Sequence, residues 1–217
     1  MTASQLKRRA VAPEDKSARR AAIVRAATEL SNRGNGFSMD QLARRAGLAK
    51  GTVYLYFGSR EEVLLAVHEQ QTHEVFDVVE RALAVAAPTG ESVVRAGLRY
   101  LKAHPEFYPL AANCRNMLDT NVSTEAAFEF KRKIGLRIQT LGQRIEQLYR
   151  GLRPGEGGAL LMNCYAMIVG LWQQADVPLS LREVMHLPEM RIFKLDYERQ
   201  LGAALLDLWD AAARRAT

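Results

Sequence analysis

Apolar residues along this chain recur every three or four positions, and no stretch keeps the two-residue alternation of a half-buried strand. Glycines and prolines punctuate the periodic segments. The pattern predicts an all-α protein. A first helix is expected over 17–33, with Ile23, Ala26, Ala27 and Leu30 on one face and Gly34 and Gly36 at its end. Ser38 to Ala46 reads as a short second helix. Ser38 and Gln41 stand in capping-box register, and Met39, Leu42, Ala43 and Ala46 make the buried face. A tight turn at 47–49 leads to a third helix over 50–57. Ser59 and Glu62 form a second capping box, opening a long helix over 60–84. After the break at "APTGE" (87–91), helices are expected over 91–103, 106–118, 124–150, 156–175 and 196–214. "SLRE" from Ser180 predicts one more short helix, inside a proline-bearing segment.

Two short helices joined by a glycine-containing turn make a helix-turn-helix arrangement. The third helix is only ~12 Å long. Val53 and Phe57 give it one inward stripe, so Lys50, Gly51, Thr52, Tyr54 and Tyr56 face outward, with Leu55 at the edge. That set suits a DNA duplex. Lys50 offers charge to phosphate, and Gly51 lets the backbone approach closely. Thr52 offers a methyl or hydroxyl to a base edge. Tyr54 and Tyr56 can donate to phosphate oxygens. Arg60 falls in the first turn of the next helix, whose positive end also favours phosphate.

Charge sharpens the picture. Residues 1–60 hold 12 Lys/Arg against 4 Asp/Glu, while 61–217 hold 18 against 20. The basicity belongs to one end, as a polyanion partner there would require. No apolar run reaches 18 residues, and the charged start lacks the apolar core of a secretory signal, so a cytoplasmic protein without membrane spans is expected. Cys114 and Cys164 read as reduced, buried small hydrophobes, with a disulfide left open. "GLAKGT" lacks the phosphate-loop pattern. No His/Cys/carboxylate set has metal-site spacing, and no nucleophile–base signature appears. His68, His73, His104 and His186 read as surface or structural residues. No cofactor is expected.

The run "FSMDQLARRAGLAKGTVYLYFGSREEVLLAV", with the helix before it, closely resembles the DNA-binding domain of the TetR (tetracycline-repressor) family over about residues 15–75. The resemblance implies an N-terminal three-helix reading head and a larger C-terminal helical domain for ligand binding and dimerisation. On the domain scale it implies a disordered basic arm over 1–14, the head over 15–75 and the effector and dimerisation domain over 76–217. It assigns recognition contacts to Lys50, Gly51, Thr52, Tyr54 and Tyr56, a meeting with the DNA backbone to Ser38 and Met39, and a phosphate clamp to Arg60. The chain departs from many relatives at Ala49, where they carry Ser or Thr. The recognition helix thereby loses a side-chain N-cap, worth about 1 kcal/mol.

Beyond residue 85 the residues carry the reading alone. "ALLMNCYAMIVGLW" (159–172) is apolar nearly all round and needs burial on several sides. The last helix shows Leu201, Leu205, Leu208 and Trp209 on one stripe. Together these helices are expected to build a four-helix dimer interface. Candidate walls of a ligand pocket are Phe107, Tyr108, Cys114, Met117, Met162, Tyr165, Met167 and Trp172, with Asn113, Arg115 and Asn163 as polar anchors. Arg115 either meets an acidic ligand group or pairs with Glu129.

The expectation is a sequence-specific, homodimeric DNA-binding regulator that represses from a palindromic operator and is released by a small, largely apolar molecule. Two other classes compete with it: a helical-bundle enzyme acting on an anionic substrate, and an architectural DNA-binding protein without an effector.

Overall fold

A computed structural model describes residues 13–31 and 36–215. Among them run nine α-helices: α1 (Pro13–Ser31), α2 (Met39–Ala46), α3 (Lys50–Tyr56), α4 (Arg60–Leu83), α5 (Gly90–Ala103), α6 (Phe107–Asp119), α7 (Thr124–Leu148), α8 (Glu156–Ala175) and α9 (Tyr197–Arg214). The described residues form no strand. None of their helices is long and apolar enough to cross a membrane.

The helix ends follow local chemistry. α1 starts at Pro13, four residues before the expected start, because proline is well tolerated at a first helical position. The expected basic arm, with Lys7, Arg8 and Arg9, lies outside the described residues except where Pro13 and Glu14 enter α1; Gly34 also lies outside them. Ser38 caps α2 through a complete capping box with Gln41. Around Ser59 only half of the expected box forms: Ser59 accepts from the Glu62 N–H, but the Glu62 carboxylate is engaged elsewhere. The expected helix at Ser180 does not form. Two 3₁₀ turns, Leu179–Leu181 and Pro188–Phe193, stand there instead, with no buried residue in either. A short helix with nothing to pack against is marginal.

Two apolar cores meet along α4. The first joins Ile23 and Ala27 of α1, Leu42 of α2, Val53 of α3 and Val63 to Val67 of α4, and it extends to Cys114, Met117 and Phe130 of the larger domain. The second gathers α5, the start of α6, α7, α8 and α9 around Phe76, Val79 and Leu83 of α4. α7 and α8 cross with backbones touching. A Cβ on Gly142 would stand 2.5 Å from the Gly158 nitrogen, so glycine is required at that crossing.

Candidate nucleic-acid interface and interior cavity

The reading head is set by one left-handed residue. Gly47 caps α2 at φ 67°, and its N–H and that of Leu48 close onto carbonyls of the last turn. A side chain would strain this backbone. The turn delivers α3 with Val53 and Phe57 buried in the first core, as the four-residue spacing requires. The opposite side is open. Lys50 and Gly51 are exposed, Tyr54 is 44% exposed, and Thr52 and Tyr56 are half-buried. A Cβ built on Gly51 meets nothing within 4 Å, so the fold itself leaves room for a side chain there. Ala49 holds the N-cap position without a side-chain hydrogen bond.

Several candidates sit differently from their sequence assignments. Lys50 does not stand free: its Nζ lies 3.0 Å from Asp40 Oδ1, and this hydrogen bond and charge attraction raise its pKa. Met39 is buried, so only its backbone can meet a phosphate, while Ser38 spends its hydroxyl on the α2 cap. Arg60 is half-buried, with its guanidinium over the Phe37 ring at 5.5 Å and Nε without a partner. Leu55, placed at the edge by the sequence, is 82% exposed beside Tyr54. α2 adds a second basic edge: Arg44 is exposed, and Arg45 pairs with Glu29 of α1.

The head is tied to the larger domain by the Glu62 carboxylate. It accepts the Gly58 N–H at 2.8 Å, the Ser123 N–H at 3.1 Å and the Ser123 hydroxyl at 2.8 Å. Ser123 is the N-cap of α7 and also accepts the Ala126 N–H. Ser59 donates to the Asn121 carbonyl in the same loop. Burial works to raise the Glu62 pKa, but the Ser123 and Gly58 donors outweigh it and hold it below the ordinary carboxylate range.

An interior cavity of about 150 Å³ opens between α4, α5, α6, α7, α8 and α9. Of the expected wall residues, Phe107, Cys114, Met162 and Tyr165 line it. Tyr108 and Trp172 stack in parallel, 5.9 Å apart, on a separate open groove with Tyr197. Met117 is buried in the first core under the reading head, and Met167 packs on the second core without reaching the cavity. Asn113 and Asn163 are exposed and line no cavity. Arg115 is 90% exposed and pairs with Asp119 at 3.2 Å, while Glu129 holds Arg132. Asn113 and Arg115 lie on α6 and Asn163 on the nearly all-apolar α8, and only packing decides which side of either helix turns inward.

Among the polar groups on the lining is His68, which the sequence reading placed only as a surface or structural residue. It is 1% exposed. Its position on the apolar stripe of α4, with Leu64, Leu65, Thr72 and Phe76, was the available signal. Its Nε2 lies 3.2 Å from the Tyr165 hydroxyl, and no protein group reaches Nδ1. Burial, and secondarily the Lys131 charge, lower its pKa to about 4, so the ring is neutral near pH 7. Both cysteines are free thiols, and burial pushes Cys164 up to about 12. Among the described residues no group of three His, Cys, Asp or Glu could hold a metal.

The expected dimer stripe is largely interior. Leu201, Leu205 and Trp209 are buried in the second core, where a Cβ on Gly90 would meet the Trp209 Cβ at 2.7 Å; Leu208 is half-buried. Trp209 and Leu205 also line the cavity. The outward side of α9 is formed instead by Ala203, Asp207 and Asp210, and that of α8 by Met162, Asn163 and Ala166.

Comparison with known proteins agrees with this architecture. Residues 23–67 match the family of bacterial regulatory proteins, tetR family, and residues 69–212 match the tetracyclin repressor-like C-terminal domain. No curated protein matches the chain. Similar solved structures include a putative tetR family transcription regulator from Shewanella sp. PV-4, 20% identical over 89% of this chain and 97% of that one, with a TM-score of 0.51. A putative TetR-family transcriptional regulator from Mesorhizobium loti is 22% identical over 90% and 96%, also at 0.51. A Rhodococcus sp. RHA1 protein with unknown function is 18% identical over 89% and 94%, at 0.54. At these identities the solved structures speak for the fold alone. The C-terminal match spans well over half of the chain, and with the N-terminal match it makes this chain a member of the TetR family of transcription regulators, carrying a helix-turn-helix DNA-binding domain.

Proposed function

We propose that the chain is a homodimeric transcriptional repressor that reads a palindromic operator with α3 and releases it when a small, largely apolar molecule fills the interior cavity. The observation that carries this reading is the double role of α4. Its first turns belong to the core of the reading head, and its later turns line the cavity through His68, Thr72 and Phe76. A molecule bound among α4, α6 and α7 acts on the same helix that carries the head, and Glu62 couples that helix to the α7 N-cap. The occupant shifts the balance only by as much as it prefers the non-binding arrangement.

Within this reading the outward face of α3 enters the major groove, Lys50 exchanges Asp40 for a phosphate, and Tyr54 donates to the backbone. A pair of heads about one helical turn apart, ~34–36 Å, matches a symmetric site. The outward sides of α8 and α9 form the subunit contact, with small Ala166 and Ala203 allowing close approach. The connection between those helices leaves Leu179, Ile192 and Phe193 exposed, at 76%, 77% and 54%, and adds apolar surface for the second subunit.

A mobility-shift titration against DNA flanking the protein's own gene tests the site. The double substitution Lys50→Ala and Tyr54→Phe is expected to weaken binding by tenfold or more, about 1.4 kcal/mol. Unchanged affinity would remove α3 from the interface.

A further inference from the structure

We propose that Leu55 is a specificity-determining residue of the reading head, packing in the major groove against the C5-methyl of one thymine in each half-site; this rests on the reading in which α3 enters that groove. Val53 is the buried residue inside α3. At about 100° per residue, Gly51 and Leu55, two positions before and after Val53, both point away from the core, roughly 160–200° around the helix. Leu55 is 82% exposed, against 44% for Tyr54 and half-burial for Thr52 and Tyr56. It therefore stands at the centre of the outward face rather than at its edge. Among the described residues up to 84, the exposed large hydrophobic side chains are Tyr54 and Leu55, both on α3. Single exposed leucines are common on protein surfaces; this one sits on the helix that the head presents outward. The head carries the chain's excess of positive charge and belongs to a DNA-binding domain, so the occupant of this face is a duplex.

The choice of thymine follows from what leucine lacks. With no donor or acceptor, it reads neither a phosphate nor the hydrogen-bonding edge of a base. On the major-groove edges of the four bases, the apolar group is the thymine methyl. Space for that group is already open. A helical side chain leans toward the N-terminus, over the preceding turn, which for Leu55 is the turn of Gly51. Yet a Cβ on Gly51 would meet nothing within 4 Å, the Leu55 side chain included. Room for a methyl group therefore remains between the bare Gly51 backbone and its neighbour one turn on. Thr52 also carries a methyl, but it is half-buried and lies only about 100° from Val53, on the flank of the helix.

The test uses duplexes of the sequence that the purified full-length protein selects from genomic DNA, with each thymine replaced in turn by deoxyuridine. That replacement removes one methyl and nothing else. By fluorescence anisotropy, the unaltered protein should lose about fourfold in affinity at one thymine of each half-site, the worth of one buried methyl. Leu55→Ala should lose a similar factor on the intact duplex and show no further loss at that thymine. Its unfolding temperature should match that of the unaltered protein, because the side chain is exposed; a lower one would give the leucine a structural role instead. Indifference of the unaltered protein to every thymine methyl, equal sensitivity in Leu55→Ala, or loss of all binding by Leu55→Ala would overturn the inference. The Lys50→Ala, Tyr54→Phe protein, run on the same duplexes, separates Leu55 from the reading beneath it. If that protein binds as tightly as the unaltered one, α3 leaves the interface and the leucine goes with it. If its affinity falls while no thymine couples to Leu55, α3 stays in the groove and only the assignment of Leu55 fails.

Discussion

On the proposed reading, Gly51 is where the free protein and DNA binding ask for different residues. In the free chain a methyl group there meets nothing, and glycine inside a helix costs about 0.5–1 kcal/mol against alanine. If the bare backbone serves the groove, Gly51→Ala raises thermal stability by that amount while lowering operator affinity about tenfold, or ~1.4 kcal/mol. Denaturation and mobility shift on the same preparation check both signs; a variant that is more stable and binds equally well removes the role. The outward face of α3 was legible in the sequence because Val53 and Phe57 fix the rotation of a helix this short. The Lys50–Asp40 pair was not, since the two residues are ten apart and lie on different helices. His68 was passed over for a similar reason: the inner stripe of α4 was visible, but the cavity beside it needs five other helices to exist.

At the scale of elements, the capping residues and breaks located most helices to within a residue or two. What the sequence could not provide was the partner of a side chain that leaves its own helix. Glu62 looked like the second half of a capping box and is instead the joint between α4 and α7. Glu62→Gln should lower unfolding stability by about 1 kcal/mol, with exposure already discounted. The pH dependence has a definite sign. A carboxyl held below its unfolded pKa stabilises the fold above that unfolded value, and the contribution is lost as pH falls through the lowered native pKa. Urea titrations at neutral and acidic pH should therefore converge for the two proteins in acid. A constant difference at every pH would mean that Glu62 acts through shape rather than charge.

Across the whole molecule, the apolar stripe of α9 had two uses open to it: the core of one subunit or the seam between two. Periodicity cannot choose between them, because both demand the same spacing. Burial of Leu201, Leu205 and Trp209 assigns that stripe to the core of the subunit, so the proposed pairing falls to the outward sides of α8 and α9. The two surfaces separate experimentally. Leu205→Ala should cost about 2–4 kcal/mol of stability while the folded protein still pairs. Ala203→Arg should leave thermal unfolding of the subunit nearly unchanged and weaken pairing at least tenfold in sedimentation velocity. The opposite assignment of effects would return the interface to the inner stripe.

The claim on which the account turns is that two copies of α3 read one duplex together. Hydroxyl-radical footprinting on fragments selected from the genome by the purified protein tests it most directly. The account predicts an inverted repeat with two protected half-sites centred about one helical turn apart, ~34–36 Å, both lost together in the Lys50→Ala, Tyr54→Phe protein. Protection that is asymmetric, indifferent to sequence or unaffected by those substitutions would contradict it.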